Sequence, residues 1–119
     1  MKNQIINRTK MSAISVWQLC DQLPKSRSFN AYCNQIIRCS SSVGANYRAA
    51  CRAKSTADFI YKLKIVEEEA DETLYFLELL KEASPEHEPQ INQIWKEYNE
   101  ILSIIISSIK TMKQKNSKI

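Results

Sequence analysis

Apolar residues recur along this chain at the spacing of an α-helix, and nowhere at the spacing of a strand. The clearest run is Phe59, Leu63, Val66, Ala70, Thr73, Leu77 and Leu80, with steps of four, three, four, three, four and three. Such a repeat keeps one stripe of a helix against its neighbours. Ser55-Thr-Ala-Asp58 sits just before it and fits a capping box, the Ser55 hydroxyl accepting from the Asp58 amide. A second stripe holds Ile91, Ile94, Trp95, Tyr98, Leu102, Ile105, Ile109 and Met112. A third holds Phe29, Tyr32, Ile36, Val43, Tyr47 and Ala50, beginning near Ser26 or Ser28. Met11, Ile14, Val16, Trp17, Leu19 and Cys20 cover a broad arc that Pro24 ends, with Thr9 as a candidate N-cap.

These stripes predict helices over about 9–23, 27–53, 56–83 and 87–112, with a basic tail at 113–119 that frays. The short breaks between them, one of them Ser84-Pro-Glu-His-Glu-Pro89, predict an all-α, up-down-up-down antiparallel four-helix bundle in a single domain, residues 1–119. Ser40-Ser-Ser42 and Gly44 weaken the second helix locally but allow another helix to approach closely. The helix is expected to run through them, with a kink at Gly44 as the competing outcome.

Composition agrees with this reading, because one Gly and three Pro leave little for turns and strands. Cys20, Cys33, Cys39 and Cys51 form no C-x-x-C pair, and the first residues build no continuous apolar signal segment. The apolar run 101–109 is far shorter than the ~20 residues that cross a bilayer. A cytoplasmic protein with four reduced, mostly buried thiols is expected.

The net charge is +4, unevenly spread. Residues 1–54 hold nine Lys/Arg and a single acid, Asp21, whereas residues 55–119 hold eight Lys and twelve acids. The two halves attract each other, within one chain or between copies. Projected at 100° per residue, Arg27, Arg38, Arg48 and Arg52 form one stripe opposite the apolar face of the second helix, and Ala45 gives that stripe a low centre. Arginine binds phosphate and carboxylate bidentately, so Arg38, Arg48 and Arg52, with Lys10, are the candidate nucleic-acid contacts. Lys113, Lys115 and Lys118 would support them. A solvated face with scattered charge is the plainer reading.

The third helix carries a second stripe opposite its core seam: Tyr61, Ile65, Glu68, Glu72, Tyr75, Phe76 and Leu79. A monomeric bundle should be polar there, so these residues are the candidate oligomer interface. Packing of the aromatics within the same bundle is the alternative. Consecutive Ile104, Ile105 and Ile106 also point to a contact outside the bundle, since one helix face cannot bury all three.

Catalytic chemistry finds no footing in this sequence. The single histidine, His87, lies in a connection and is expected to be solvent-exposed, which leaves neither a di-metal carboxylate site nor a Cys–His pair. Cysteine spacings of 13, 6 and 12 give zinc no chelating pair, and one glycine allows neither a phosphate loop nor a nucleophile elbow. A non-enzymatic protein without metal or cofactor is expected.

Ser42-Val-Gly-Ala-Asn46, Arg52-Ala-Lys-Ser55, Asp58-Phe-Ile60, Lys62-Leu63 and Glu72-Thr-Leu-Tyr-Phe-Leu-Glu-Leu-Leu80 closely resemble the bacterial four-helix bundle family named after proteins encoded in 23S rRNA intervening sequences. Leu23-Pro-Lys25 and Gln35-Ile-Ile-Arg38 are similar as well, so the likeness covers about residues 8–112. The resemblance implies a four-helix bundle that assembles into a ring-like homo-oligomer, with a pentamer as the expected ring. A related branch resembles the accessory proteins of diversity-generating retroelements, basic rings that bind nucleic acid and a reverse transcriptase. This chain is less basic than that branch, with a pI near 8.9. The family contributes no catalytic residues, and its name records where some of its genes sit. Two functions stand side by side. One is an oligomeric scaffold that binds RNA or DNA backbone. The other is a protein–protein interaction ring without nucleic acid, its arginines consumed by Glu68, Glu72 or Glu78 across subunits.

Overall fold

The computed structural model describes residues 1–117, with side chains through Lys115, and contains four α-helices and no strand among them. Helices α1 (Lys2–Gln22), α2 (Arg27–Ala50), α3 (Thr56–Ala83) and α4 (Glu88–Ser117) follow one another, with a short 3-10 turn at Pro85–His87 before α4. The bundle measures 53 × 21 × 21 Å. Successive helices pack antiparallel: Thr9 of α1 faces Gly44 of α2, Arg38 of α2 reaches Glu69 and Glu72 of α3, and Trp95 of α4 donates to Glu78 of α3 at 3.0 Å. The α1–α4 seam, where packing is lightest, is closed by Arg8. Its guanidinium grips Glu97 bidentately at 2.8 and 2.6 Å.

The caps of α2 and α3 lie where the sequence pattern predicts. Ser26 accepts from the Phe29 amide at 3.2 Å, and Ser55 accepts from the Asp58 amide at 3.1 Å. The Asp58 carboxylate returns the bond by accepting from the Lys54 amide. The α3 seam is buried from Leu63 to Leu80, and Ile36, Cys39, Val43, Ile91, Ile101 and Ile105 complete the centre. Ile105 is buried, Ile104 is half-buried against the core, and Ile106 is exposed, so the isoleucine triplet does splay around α4. Cys20 and Cys39 are buried, and Cys33 and Cys51 half-buried; all four are free thiols.

Four expectations need correction. Helix α1 begins at Lys2 rather than near Thr9, because Ile5, Thr9, Ser12, Val16 and Leu19 continue the seam to the chain start. Thr9 is no cap; it is fully buried, and its hydroxyl donates to the Ile5 and Ile6 carbonyls at 2.9 and 3.0 Å. A small seam residue there lets α2 come close, and α2 runs unbroken through Gly44. Helix α2 stops at Ala50, its end tightened by bonds from Arg52 to Ala49 and from Ala53 to Ala50. The basic stretch from Lys113 does not fray before Ser117. Lys and Gln are good helix formers, and cations suit a helix C-terminus. Lys118 lies outside the described residues. Finally, His87 is not solvent-exposed: its ring, 20% exposed, meets the buried Ser84 hydroxyl at 2.7 Å.

Candidate nucleic-acid interface

Antiparallel packing brings the start of α1, the end of α2, the start of α3 and the end of α4 to one end of the bundle. That end collects Lys2, Lys10, Arg48, Arg52, Lys54, Lys62, Lys64, Lys110, Lys113 and Lys115. Carboxylates are fewer there: α2 has none and α1 none before Asp21. But α3 brings Asp58 and also Glu67, which acts on Lys113, and Glu97 and Glu100 of α4 pair with Arg8, close to Lys10 on α1. The other end is nearly balanced, with Asp21, Glu78, Glu82, Glu86 and Glu88 against Lys25, Arg27, Lys81 and Lys96.

Of the basic set, only Lys62 forms an ion pair among the described residues, with Asp58 at 2.9 Å. That bond and the Lys54 amide hold the Asp58 carboxyl below its ordinary range. Lys64 of α3 lies against Lys113 of α4, and the proximity of two ammonium groups lowers the Lys113 pKa. Helix dipoles account for only part of this accumulation. Arg48 and Lys115 sit in last turns, where cations are favoured. Lys2 opens α1, which has no acid in its first turn, and Lys54 precedes the α3 cap, so both cations sit at ends where the dipole disfavours them.

The candidate contacts divide accordingly. Arg48, Arg52 and Lys10 are exposed at the basic end. Arg38 lies further along α2 and is engaged within its own chain by Glu69 and Glu72, which raise its pKa. Lys2, Lys54, Lys62, Lys64 and Lys110 were not among the contacts expected from the sequence. The signal for them was present: in an antiparallel series, the helix ends that share a pole can be read off and their charges pooled.

The second stripe of α3 is partly used inside the chain. Glu72 holds Arg38, and half-buried Phe76 packs its ring 6.3 Å from that of Tyr32. Tyr61 and Tyr75 project, 64% and 56% exposed, Glu68 is exposed, and Ile65 and Leu79 are half-buried. Trp17 of α1 is 55% exposed, elsewhere on the surface.

Chemistry other than charge is sparse. No group of three or more His, Cys, Asp or Glu residues able to hold a metal occurs among the described residues. Among the described residues, no helix is long and apolar enough to cross a membrane.

The family model described as "23S rRNA-intervening sequence protein" matches residues 1–107. The chain belongs to this family. A solved relative agrees with it in fold. The chain is similar to a protein of unknown function from the S23 ribosomal protein family of Bacteroides thetaiotaomicron VPI-5482, known from a crystal structure. Identity is 37%, the match covers 92% of this chain and 99% of that one, and the TM-score is 0.83. No curated protein matches. The basic end of this 23S rRNA-intervening sequence family member falls largely within the matched range, and Lys110, Lys113 and Lys115 fall just beyond it.

Proposed function

We propose that the chain is a non-enzymatic, homo-oligomeric bundle that binds RNA or DNA backbone through its basic end. The observation that carries this reading is the convergence, from all four helices, of nine cations that form no ion pair among the described residues on one end of the bundle. Self-repulsion makes such a cluster costly in isolation, and a polyanion relieves it. Arg48, Arg52 and Lys10 are its central contacts. Arg38 serves instead to tie α2 to α3.

The projecting ridge of α3, with Tyr61, Ile65, Glu68, Tyr75 and Leu79, supports assembly into a ring, with five copies as the expected number. Exposed aromatics beside a free carboxylate suit a contact with another subunit better than bulk water. The interaction-ring alternative needs the basic-end arginines to be consumed by acids of neighbours. Glu72, one of those acids, is already bound to Arg38 of its own chain.

Light scattering after size exclusion, with and without a short RNA duplex, tests both parts, because each chain is 13.8 kDa. The expected result is an oligomer that gains mass with RNA at low salt and loses it at high salt. Replacing Lys54 and Lys113 by Glu should abolish the gain and leave the oligomer. A monomer would refute the ridge, and an oligomer indifferent to RNA and DNA would refute backbone binding.

A further inference from the structure

Cations from α1, α3 and the end of α2 flank the last turns of α2, with small side chains between them. On the α3 side, Arg48, Arg52 and Lys62 line an open cleft of about 450 Å³ floored by Ala45 and Ala49. On the α1 side, Lys10 and the same Arg48 edge a second cleft of about 330 Å³, whose floor is largely apolar, with Ile6, Ala13 and Ile14, and where Gly44 and Ser41 keep the wall low. Ala45 and Arg48 border both clefts. Here α2 is a saddle between two basic seats. No carboxylate and no aromatic side chain lines either cleft. The α3-side cleft, with three cations, suits an oxyanion; on the α1 side Lys10 and Arg48 offer it a place at the rim of an apolar floor, and bases find nothing to stack on in either.

The two clefts flank one helix, so their centres are about 10 Å apart. The rise of ~3.4 Å per nucleotide is measured along the duplex axis, and a strand that winds around that axis sets its phosphates farther apart than this, so two clefts at that span suit phosphates one or two steps apart on one strand. A single phosphate fills one seat, whereas a continuous backbone fills both.

We propose that one strand of a nucleic-acid duplex crosses α2 over Ala45 and Ala49, placing a phosphate in each cleft with Arg48 shared between them. The inference rests on the backbone-binding reading above and adds its path. Lys10 holds the phosphate on the α1 side; Arg52 and Lys62 hold the other. Asp58 competes for Lys62, to which it is bonded. The contact reads no sequence, because nothing at the saddle reaches a base edge.

The decisive variant changes shape without changing charge. Ala45 is exposed on a helix, so Ala45→Leu keeps the fold and raises the saddle. Fluorescence anisotropy with a fluorescein-labelled RNA duplex, and with the matching DNA duplex, reads the affinity over a salt series. Ala45→Leu should weaken binding about tenfold with the salt slope unchanged, since no counterion-releasing charge is lost. Arg52→Ala should weaken it and lower the salt slope by about 0.9 on DNA. Asp58→Asn keeps an acceptor for the Lys54 amide and frees Lys62, so binding should tighten about threefold. Whichever duplex shows the Ala45→Leu loss is the one whose backbone crosses. If Ala45→Leu binds both duplexes like the wild type while Lys54→Glu and Lys113→Glu lose binding, the saddle path is wrong and the basic end stands. If the wild-type protein binds neither duplex at low salt, both readings fall.

Discussion

Gly44 is the only glycine of the chain, and it lies inside a helix, where glycine costs about 0.8–1.0 kcal/mol against alanine. The structure gives a reason for bearing that cost. A Cβ at Gly44 would stand 3.2 Å from Thr9 Oγ1, 3.4 Å from Thr9 Cβ and 3.7 Å from the Thr9 carbonyl carbon. Thr9 has no room to yield. It is fully buried, its hydroxyl is bonded to two carbonyls of its own helix, and a shift of a few tenths of an ångström moves α1 away from α2. Overpacking of this kind costs about 1–3 kcal/mol. Gly44→Ala in the wild-type background should therefore be neutral or destabilise by up to about 2 kcal/mol, the propensity gain being offset by crowding. Thr9→Ala removes the nearest atom, and Gly44→Ala added to it should then stabilise by about 1 kcal/mol. The two sites should couple by about 1–3 kcal/mol in a double-mutant cycle. Urea denaturation of the four proteins at one matched concentration measures it. Stabilisation by Gly44→Ala of about 1 kcal/mol in both backgrounds would refute the close approach of α1 and α2.

Two further perturbations test the interior and the α1–α4 seam. Tyr98 is fully buried, and burial pushes its pKa up. Its hydroxyl lies near Ser40, which donates to the Ile37 carbonyl at 3.3 Å, and it has no hydrogen-bond partner among the described residues. Tyr98→Phe should leave stability unchanged or raise it by about 1 kcal/mol, and a loss of that size on thermal melting would show that the hydroxyl has a partner. The Glu97 carboxyl is held below its ordinary value of 4.5 by the hydrogen bond from Arg8. It therefore binds fewer protons folded than unfolded, and its stabilisation is present above the unfolded pKa and lost as pH falls through the lowered folded one. Glu97→Gln should cost about 1 kcal/mol at neutral pH, after allowance for solvent screening of a one-third-exposed pair, and should flatten the fall in stability below about pH 5. An acid limb identical to that of the wild type would rule out this pair as a contributor.

The sequence alone determined the local architecture. Helix α3 was readable to the residue from the Ser55 cap and a seven-position seam, since caps and seams are interactions between residues three or four apart. The other helices were readable within a few residues, except at the start of α1, where a seam residue imitated a cap, and at the end of α4, which runs on to Ser117. Thr9 is a hydroxyl before an apolar arc, and only the neighbouring α2 backbone makes it core. Tertiary structure decided the charge map. Arg38 and Arg48 are ten residues apart on one face and look equivalent in projection; packing gives Arg38 two carboxylates of α3 and leaves Arg48 none. Lys2, Lys54, Lys64 and Lys113 are scattered over more than a hundred residues and became one surface only because antiparallel helices return to the same end. The hydrogen bonds that wind a helix span four residues. The charges that form this interface meet only after the whole chain has folded.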